Sequence, residues 1–101
     1  MKIMVFVEER HIKSGVKGSE KKCPVARALK EATLDDGWKV CHRLLNEEAY
    51  LSLSFLPDVR LFIWGFDLGQ EVNPFVFQIK VPFIYWAGVK IRKLARRLEE
   101  K

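Results

Sequence analysis

The sequence predicts an α+β domain: a small, mainly antiparallel four-stranded sheet, with helices packed on one face and a C-terminal amphipathic helix. Short stretches in which apolar and polar residues alternate have the period of half-buried strands. Other stretches carry apolar residues at helical spacing, most clearly residues 83–100. Ten of the twelve aromatic residues lie between Tyr50 and Trp86. Because aromatic side chains bring the largest buried areas, we expect the core to be centred there.

Length and composition predict a single domain. A chain of 101 residues that is 49% hydrophobic and 31% charged is an ordinary globule, which we divide into a core (1–82) and a basic helix (83–100). Its apolar runs are too short for a transmembrane segment, and no secretory signal precedes Glu8. Two cysteines are too few for a disulfide scaffold and suit the reduced cytoplasm, although a single Cys23–Cys41 bridge stays compatible with the sequence.

The first third of the chain predicts a strand and two helices. Ile3–Val7 is a continuous apolar run, which is typical of a strand buried on both faces. Residues 8–14 predict a short helix that Gly15 ends. Pro24 suits the first turn of a longer helix, because its missing N–H has no partner there. The apolar residues at 25, 28, 29 and 32 then share one face of that helix.

The middle of the chain predicts a strand pair and a third helix. Trp38–Leu44 alternates apolar and polar residues and predicts one strand. Tyr50–Phe55 alternates again, with Phe55 among its inward side chains, and the two strands are expected to pair. Residues 57–67 fit either a helix or a buried strand. Pro57 at the start and a glycine after the end favour the helix.

The last third predicts a strand followed by the amphipathic helix. Residues 72–81 alternate, with Phe75, Phe77 and Ile79 on one face. Pro82 opens the final helix, whose apolar residues form one stripe that we expect to pack on the sheet. The stripe consists of Ile84, Ala87, Ile91, Leu94, Ala95 and Leu98.

The net charge of +5 belongs mainly to the end of the chain. Residues 90–101 carry six basic and two acidic side chains, whereas residues 1–89 are nearly neutral. The polar face of the last helix, with two aromatic residues at its edges, could grip a nucleic-acid backbone or lie on an anionic membrane. A simply solvated outer face is an equally good interpretation. This candidate binding face consists of Tyr85, Trp86, Lys90, Arg92, Lys93, Arg96 and Arg97.

A basic loop before the second helix is a weaker candidate. Its backbone N–H groups could hold an anion, although the spacing of a Walker phosphate loop is absent. A solvated surface loop is the better-supported alternative. The candidate anion-binding residues are Lys17, Gly18, Ser19, Lys21 and Lys22.

No catalytic residue, cofactor or metal site is predicted. Cys23 lies beside a helix N-terminus and two lysines, which could lower the pKa of its thiol, but a buried helix cap is the favoured interpretation. His11, Cys23, Cys41 and His42 lack the close pairing of structural zinc ligands. The acidic pairs of the chain fall in predicted turns, where acidic residues are common.

Three segments, in order, carry a family resemblance. They are Glu-Glu-Arg-His-Ile-Lys-Ser-Gly at 8–15, Cys-Pro-Val-Ala-Arg-Ala-Leu at 23–29, and Phe-Asp-Leu-Gly at 66–69 with Pro-Phe-Val-Phe at 74–77. The chain resembles, over residues 5–80, a family of short uncharacterised proteins of tailed phages and of bacterial genomes that carry such elements. The resemblance implies a viral or mobile-element accessory protein and transfers no site residues.

These observations lead to two functional hypotheses from different classes. The first is a non-enzymatic accessory protein in the host cytoplasm that binds a host protein or nucleoprotein complex, for example to inhibit a defence nuclease or transcription. The alternative is a nucleic-acid-binding protein that uses the basic C-terminal helix. An enzyme that depends on Cys23 ranks last. The sequence does not predict an oligomeric state.

Overall fold

The computed structural model describes residues 1–41, 43–46 and 49–99, and it confirms the α+β class and the antiparallel pairing. The helix predicted at 57–67 is also confirmed. The elements in chain order are β1 (Lys2–Val7), α1 (Glu9–Ser14), α2 (Pro24–Thr33), β2 (Lys39–Val40), β3 (Arg43–Leu45), β4 (Tyr50–Ser52), a 3₁₀ turn (Leu53–Phe55), α3 (Pro57–Asp67), β5 (Phe75–Lys80) and α4 (Phe83–Glu99). Residue 100, where the last helix was expected to end, lies outside the described residues.

The strands of the described residues form two sheets, so the prediction of one four-stranded sheet is wrong. β1 pairs with β5 from Lys2 opposite Lys80 to Val7 opposite Phe75. β2, β3 and β4 form a separate meander of two- and three-residue strands. Alternation identifies which residues can form strands. It does not show that β1 pairs with the distant β5, because that pairing depends on long-range packing.

β1 is buried on one face only, which corrects the prediction of a strand buried on both. Ile3, Val5 and Val7 point into the core, whereas Met4 and Phe6 are exposed. The helix α2 packs against β1 on one side. The alternating burial is the pattern of an antiparallel sheet with one open face.

The stretch predicted as one strand, Trp38–Leu44, is divided between β2 and β3. The chain turns back after β2, and the two strands pair antiparallel as a hairpin. Its burial still alternates as expected, with Trp38, Val40 and Leu44 inside; His42 lies outside the described residues. The inward position predicted for Phe55 is wrong. The chain leaves β4 into the 3₁₀ turn, where Ser52 Oγ accepts the N–H of Ser54, and Phe55 becomes exposed.

One hydrophobic core joins the inner faces of β1 and β5 to the helices. Trp38 and Leu29 are its largest fully buried side chains. Cys23 and Cys41 are both free thiols, so the bridge that the sequence left open is not formed. Among the described residues, no helix is long and apolar enough to cross a bilayer.

Candidate functional site

A wide groove of about 1270 Å³ runs between α2 and α4 and is bordered by α1 and the loop before α2. Seven basic and three acidic side chains line it, so we call it the basic groove. The basic residues are Arg10, Lys21, Lys22, Arg27, Lys30, Arg92 and Arg96, and the acidic ones are Glu31, Asp36 and Glu99. The groove therefore combines part of the predicted basic loop with part of the predicted basic helix face.

The loop wall of the groove is held by hydrogen bonds from cationic side chains of α2. Lys30 Nζ donates to the carbonyl of Lys21 at 2.9 Å, and Arg27 Nε donates to the carbonyl of Lys22 at 3.2 Å. The Lys22 N–H in turn donates to Ser19 Oγ at 3.0 Å. These contacts fix the backbone that carries the two loop lysines beside the two cations of α2.

The first half of the same loop faces the end of α3 and not the groove. The predicted anion-binding residues therefore lie in two separate places. The Gly18 N–H donates to the Asp67 carboxylate at 3.0 Å, at the end of α3. The carboxylate thus occupies the position in which a bound phosphate would meet this N–H. Gly18 has a φ of 68°, a left-handed conformation that favours glycine. Lys17 lies near Gly69, whereas Lys21 and Lys22 line the groove.

The α4 wall is anchored by Tyr85, which the sequence placed at the edge of an exposed face. The Tyr85 ring is buried and meets Trp38 edge-on, with centroids 6.1 Å apart. Its hydroxyl donates to Asp35 Oδ2 at 2.9 Å and accepts from Asn46 Nδ2 at 3.0 Å. Burial raises the pKa of Tyr85. The prediction that Tyr85 belongs to an exposed binding face is therefore wrong.

Arg92 follows Tyr85 onto the same face of α4. Its Nε donates to the carbonyl of Thr33 at 3.1 Å, and its guanidinium carbon lies 5.6 Å from the centroid of the Tyr85 ring. Its Nη2 is buried and has no hydrogen-bond partner among the described residues. Because the C-terminal carbonyls of a helix carry partial negative charge, this contact joins α4 to the end of α2.

The other cations of the predicted binding face point elsewhere. Arg96 lines the groove with Arg92, whereas Lys90 and Arg97 are exposed on the far side of the helix. Lys90 Nζ lies 5.4 Å from the Trp86 ring, which is partly buried against the core. Lys93 lies between the two groups, where burial, and then the charge of Lys90, lower its pKa. The cations predicted to form one basic face therefore belong to two surfaces: Arg92 and Arg96 line the groove, and Lys90 and Arg97 lie outside it.

One end of the groove is closed by a cluster that ties α1 to α2. The Glu8 N–H donates to Nδ1 of the buried His11 at 2.9 Å, so the histidine takes the place of the usual Glu or Gln in a capping box. The proton of the ring therefore lies on Nε2, which donates to Glu31 Oε2 at 2.8 Å. Arg10 bridges the carboxylates of Glu8 and Glu31.

The same cluster contains three side chains that could in principle bind a metal ion. One ligand atom each from Glu8, His11 and Glu31 lie within 4.8 Å of one another. Both ring nitrogens of His11 already have hydrogen-bond partners, and Arg10 contacts both carboxylates. The geometry fits a hydrogen-bonded link between the two helices better than a set of vacant ligands.

The link makes one prediction about acid stability. The hydrogen bond from Arg10, more than that from His11, lowers the pKa of Glu31 to about 2. A lowered carboxyl pKa contributes stability above the unfolded value of about 4.5, and this stability is lost as the pH falls toward 2. We expect Glu31→Gln to cost less than about 1 kcal/mol near pH 7, since the pair is half exposed.

The measurement is urea denaturation from pH 7 to pH 2.5. The wild type should lose its advantage over Glu31→Gln as the pH falls below about 4.5. Glu9→Gln is a matched control, because Glu9 is an exposed acid of α1 that forms no ion pair among the described residues. A stability difference between wild type and Glu31→Gln that stays constant with pH would contradict the role of the carboxylate charge.

Cys23 is a buried helix cap. Its Sγ accepts the Ala26 N–H at 3.4 Å, and burial raises the pKa of its thiol. A nucleophilic cysteine requires a lowered pKa. The helix N-terminus does not lower the pKa of Cys23, because desolvation outweighs the hydrogen bonds to its sulfur.

The largest departure from the predictions concerns the apolar stripe of α4. Ile84, Ile91, Leu94 and Leu98 are 55–82% exposed, and the core side of the helix is formed by Tyr85 and Val89. The expectation that this stripe packs on the sheet is wrong. Since residues are 100° apart around a helix, the stripe points almost opposite to the face that contacts the body. We call these four residues, with Ala87 between them, the α4 stripe.

Further apolar side chains are exposed on other elements. Leu61 and Trp64 on α3, with Leu68 directly after it, form an exposed ridge, and α3 also has a buried apolar face. Met4 and Phe6 are exposed on the open face of β1. A continuous row of exposed apolar side chains, such as the α4 stripe, is typical of proteins that bind a partner.

Comparisons of the chain with protein-family models, with curated proteins and with solved structures find no match. The resemblance to phage proteins therefore stays a prediction, and no site residues are transferred from a relative. Sequence reasoning missed Arg10, Arg27 and Lys30 as groove residues. The only local signal was the i, i+3 spacing of Arg27 and Lys30 on the outer face of α2.

Proposed function

We propose that this chain is a non-enzymatic accessory protein of phage or mobile-element type, which acts in the host cytoplasm. It binds a host protein or nucleoprotein complex through the α4 stripe. The observation that carries the proposal is the exposure of Ile84, Ile91, Leu94 and Leu98 on a helix whose opposite face is anchored in the core. Exposing such a stripe to water is unfavourable, so association with a partner that covers it is favourable.

The spacing of the α4 stripe suits a helix or an apolar groove on the partner. Its residues at 84, 87, 91, 94 and 98 alternate steps of three and four, which is the seam spacing of paired helices. Gly88 and Ala95 lie along one side of the seam, where their small size allows close approach. Lys90 and Arg97 lie along the other side and favour an acidic partner surface.

Two other occupants fit less well. A second copy would bring a stripe bordered by the same two cations, Lys90 and Arg97, and like charges disfavour that contact. A membrane bound through α4 would explain the α4 stripe but not the exposed apolar side chains of α3 and β1, which belong to other elements. The alternative of nucleic-acid binding by α4 alone is poorly supported, because Arg92 and Arg96 face the groove while Lys90 and Arg97 border the stripe.

The test compares capture of host proteins by the wild type and by Ile91→Gln/Leu94→Gln, after nuclease treatment. Glutamine keeps the charge and the helix propensity, so the fold should persist while two apolar contacts are lost. We expect the affinity for the captured partner to fall by about 2–4 kcal/mol, or roughly 30- to 1000-fold. The partner should present an acidic border around an apolar groove.

The matched control is Leu61→Gln/Leu68→Gln, which removes one exposed leucine from α3 and another from the residue that follows it. This variant should capture the partner as the wild type does. Equal capture by wild type and the α4 variant would contradict the proposal. A concentration-dependent dimer of the wild type that the α4 variant loses would assign the stripe to a second copy, and equally sensitive binding to anionic vesicles would assign it to a membrane.

A further inference from the structure

The geometry points to a second binding activity on another face of the molecule: the basic groove binds the phosphodiester backbone of a nucleic acid. The groove is assembled from α1, the loop before α2, α2 itself and α4, so no single segment of the chain displays it. This site is separate from the α4 stripe, because Arg92 and Arg96 lie on the opposite side of the helix from Ile91 and Leu94.

The charges of the groove are available to a ligand. Within the described part of the chain, five of its cations form no ion pair with an acidic side chain. They are Lys21, Lys22, Arg27, Lys30 and Arg92. Of the three acidic residues, Glu31 is already neutralised by Arg10 and contacts His11. The excess of positive charge is therefore greatest beside the loop and α2.

Three of these five cations are held in position before a ligand binds. The Nζ of Lys30 and the Nε of Arg27 are held by backbone carbonyls of the loop, and the Nε of Arg92 is held by Thr33. Arg27 keeps further guanidinium N–H groups beyond this bond, whereas the Nη2 of Arg92 is buried. Because less side-chain freedom is lost on binding, fixed donors raise affinity for a ligand whose charges match them.

Three features favour a phosphodiester chain over other anions. A volume of about 1270 Å³ is far larger than one phosphate needs, and the cations stand along both walls. Nucleic acids also present a denser line of negative charge than acidic polypeptides do, about one charge per 1.7 Å for a duplex. Among the described residues lining the groove, none is a Phe, Tyr or Trp, and the ring of its one histidine, His11, is buried. Bases therefore have no stacking platform, and recognition is by the backbone and independent of sequence.

The test is fluorescence anisotropy with a labelled 20-base-pair duplex and with one of its strands, between 50 and 200 mM salt. We expect the logarithm of the duplex association constant to fall with the logarithm of salt with a slope of about −4 to −5, for five phosphate contacts. Lys22→Gln/Arg27→Gln should weaken binding about 10- to 50-fold at 0.1 M salt and reduce the slope by about 2.

Lys39→Gln/Arg60→Gln is the matched control, since it removes one lysine and one arginine that are exposed and outside the groove. It should leave the affinity within about twofold of the wild type. Equal weakening by both double variants would overturn the groove as the site and leave only a net-charge effect. The inference would also be overturned if the wild type bound neither the duplex nor the single strand.

Three further arms separate the ligand classes and the two proposals. Displacement of the duplex by millimolar inorganic phosphate or pyrophosphate would assign the groove to a free phosphate ligand, and displacement by polyglutamate at equal charge would assign it to an acidic polypeptide. Either result would overturn the inference. Ile91→Gln/Leu94→Gln should bind the duplex as the wild type does. The proposal for the α4 stripe and the proposal for the basic groove can therefore fail independently of each other.

Discussion

Replacing Trp38 with alanine is expected to destabilise the protein by about 3–5 kcal/mol, the usual range for removing a buried Trp. Trp38 is fully buried, its Nε1 donates to Thr33 Oγ1 at 2.9 Å, and its ring meets Tyr85 edge-on. The substitution leaves a cavity where α2, the β2–β4 sheet and α4 meet. A domain of this size has a free energy of unfolding of about 5–15 kcal/mol, so the loss is a large part of the total.

The measurement is thermal and guanidinium denaturation followed by circular dichroism. We expect the midpoint temperature to fall by roughly 15–30 °C, because a domain of this size loses about 4–8 °C for each kcal/mol. Trp64→Ala provides the control, since it makes the same change at a residue that is 62% exposed on α3. Its cost should stay within about 0.5 kcal/mol. Similar losses in the two variants would show that Trp38 does not hold the core together.

The helices were the most predictable part of the fold, because their signals are local. Pro24 and the apolar residues at helical spacing placed α2, and its predicted inner residues Val25 and Leu29 are buried. Pro57 and the glycine that follows α3 decided between a helix and a strand at 57–67. Gly69 has a φ of 80°, and the Gln70 N–H donates to the Gly65 carbonyl, so the glycine ends the helix as expected.

The orientation of α4 could not be read from its periodicity. Amphipathicity shows that a helix has two unlike faces, but not which face the rest of the chain covers. Here the contacting face carries Tyr85, whose hydroxyl meets Asp35 and Asn46 from two other segments. A tyrosine combines an apolar ring with a polar end and can be buried among polar partners, which a scale of hydrophobicity misses.

The basic groove was unpredictable for a related reason. Each of its cations taken alone has the signature of a solvated surface residue, since Lys21, Arg27 and Lys30 belong to a loop and to the outer face of α2. Only the packing of α4 beside α2 brings them opposite Arg92 and Arg96. A site made from distant segments requires the tertiary structure, whereas a motif within one segment does not.

Replacing Tyr85 with alanine is expected to cost about 3–5 kcal/mol and to detach α4 from the body. Tyr85 and Val89 are the only buried residues among the described residues of α4, so the helix has few other anchors. Its exposed stripe cannot compensate, because most helical stability in a protein comes from packing one face of the helix against the body. The loss of ellipticity at 222 nm should therefore exceed that of other destabilised variants, and duplex binding should weaken because the groove loses its α4 wall.

Two substitutions separate the contributions of Tyr85. Tyr85→Phe keeps the contact with Trp38 and removes only the hydroxyl, so it should cost about 1–2 kcal/mol and leave α4 helical. Tyr50→Ala makes the alanine change at a residue that is 64% exposed and should cost less than about 1 kcal/mol. If Tyr85→Ala kept native ellipticity and native duplex affinity, α4 would be held by contacts other than this ring. Both surfaces proposed for the protein depend on that anchor, since it turns the arginines toward α2 and leaves the α4 stripe in solvent.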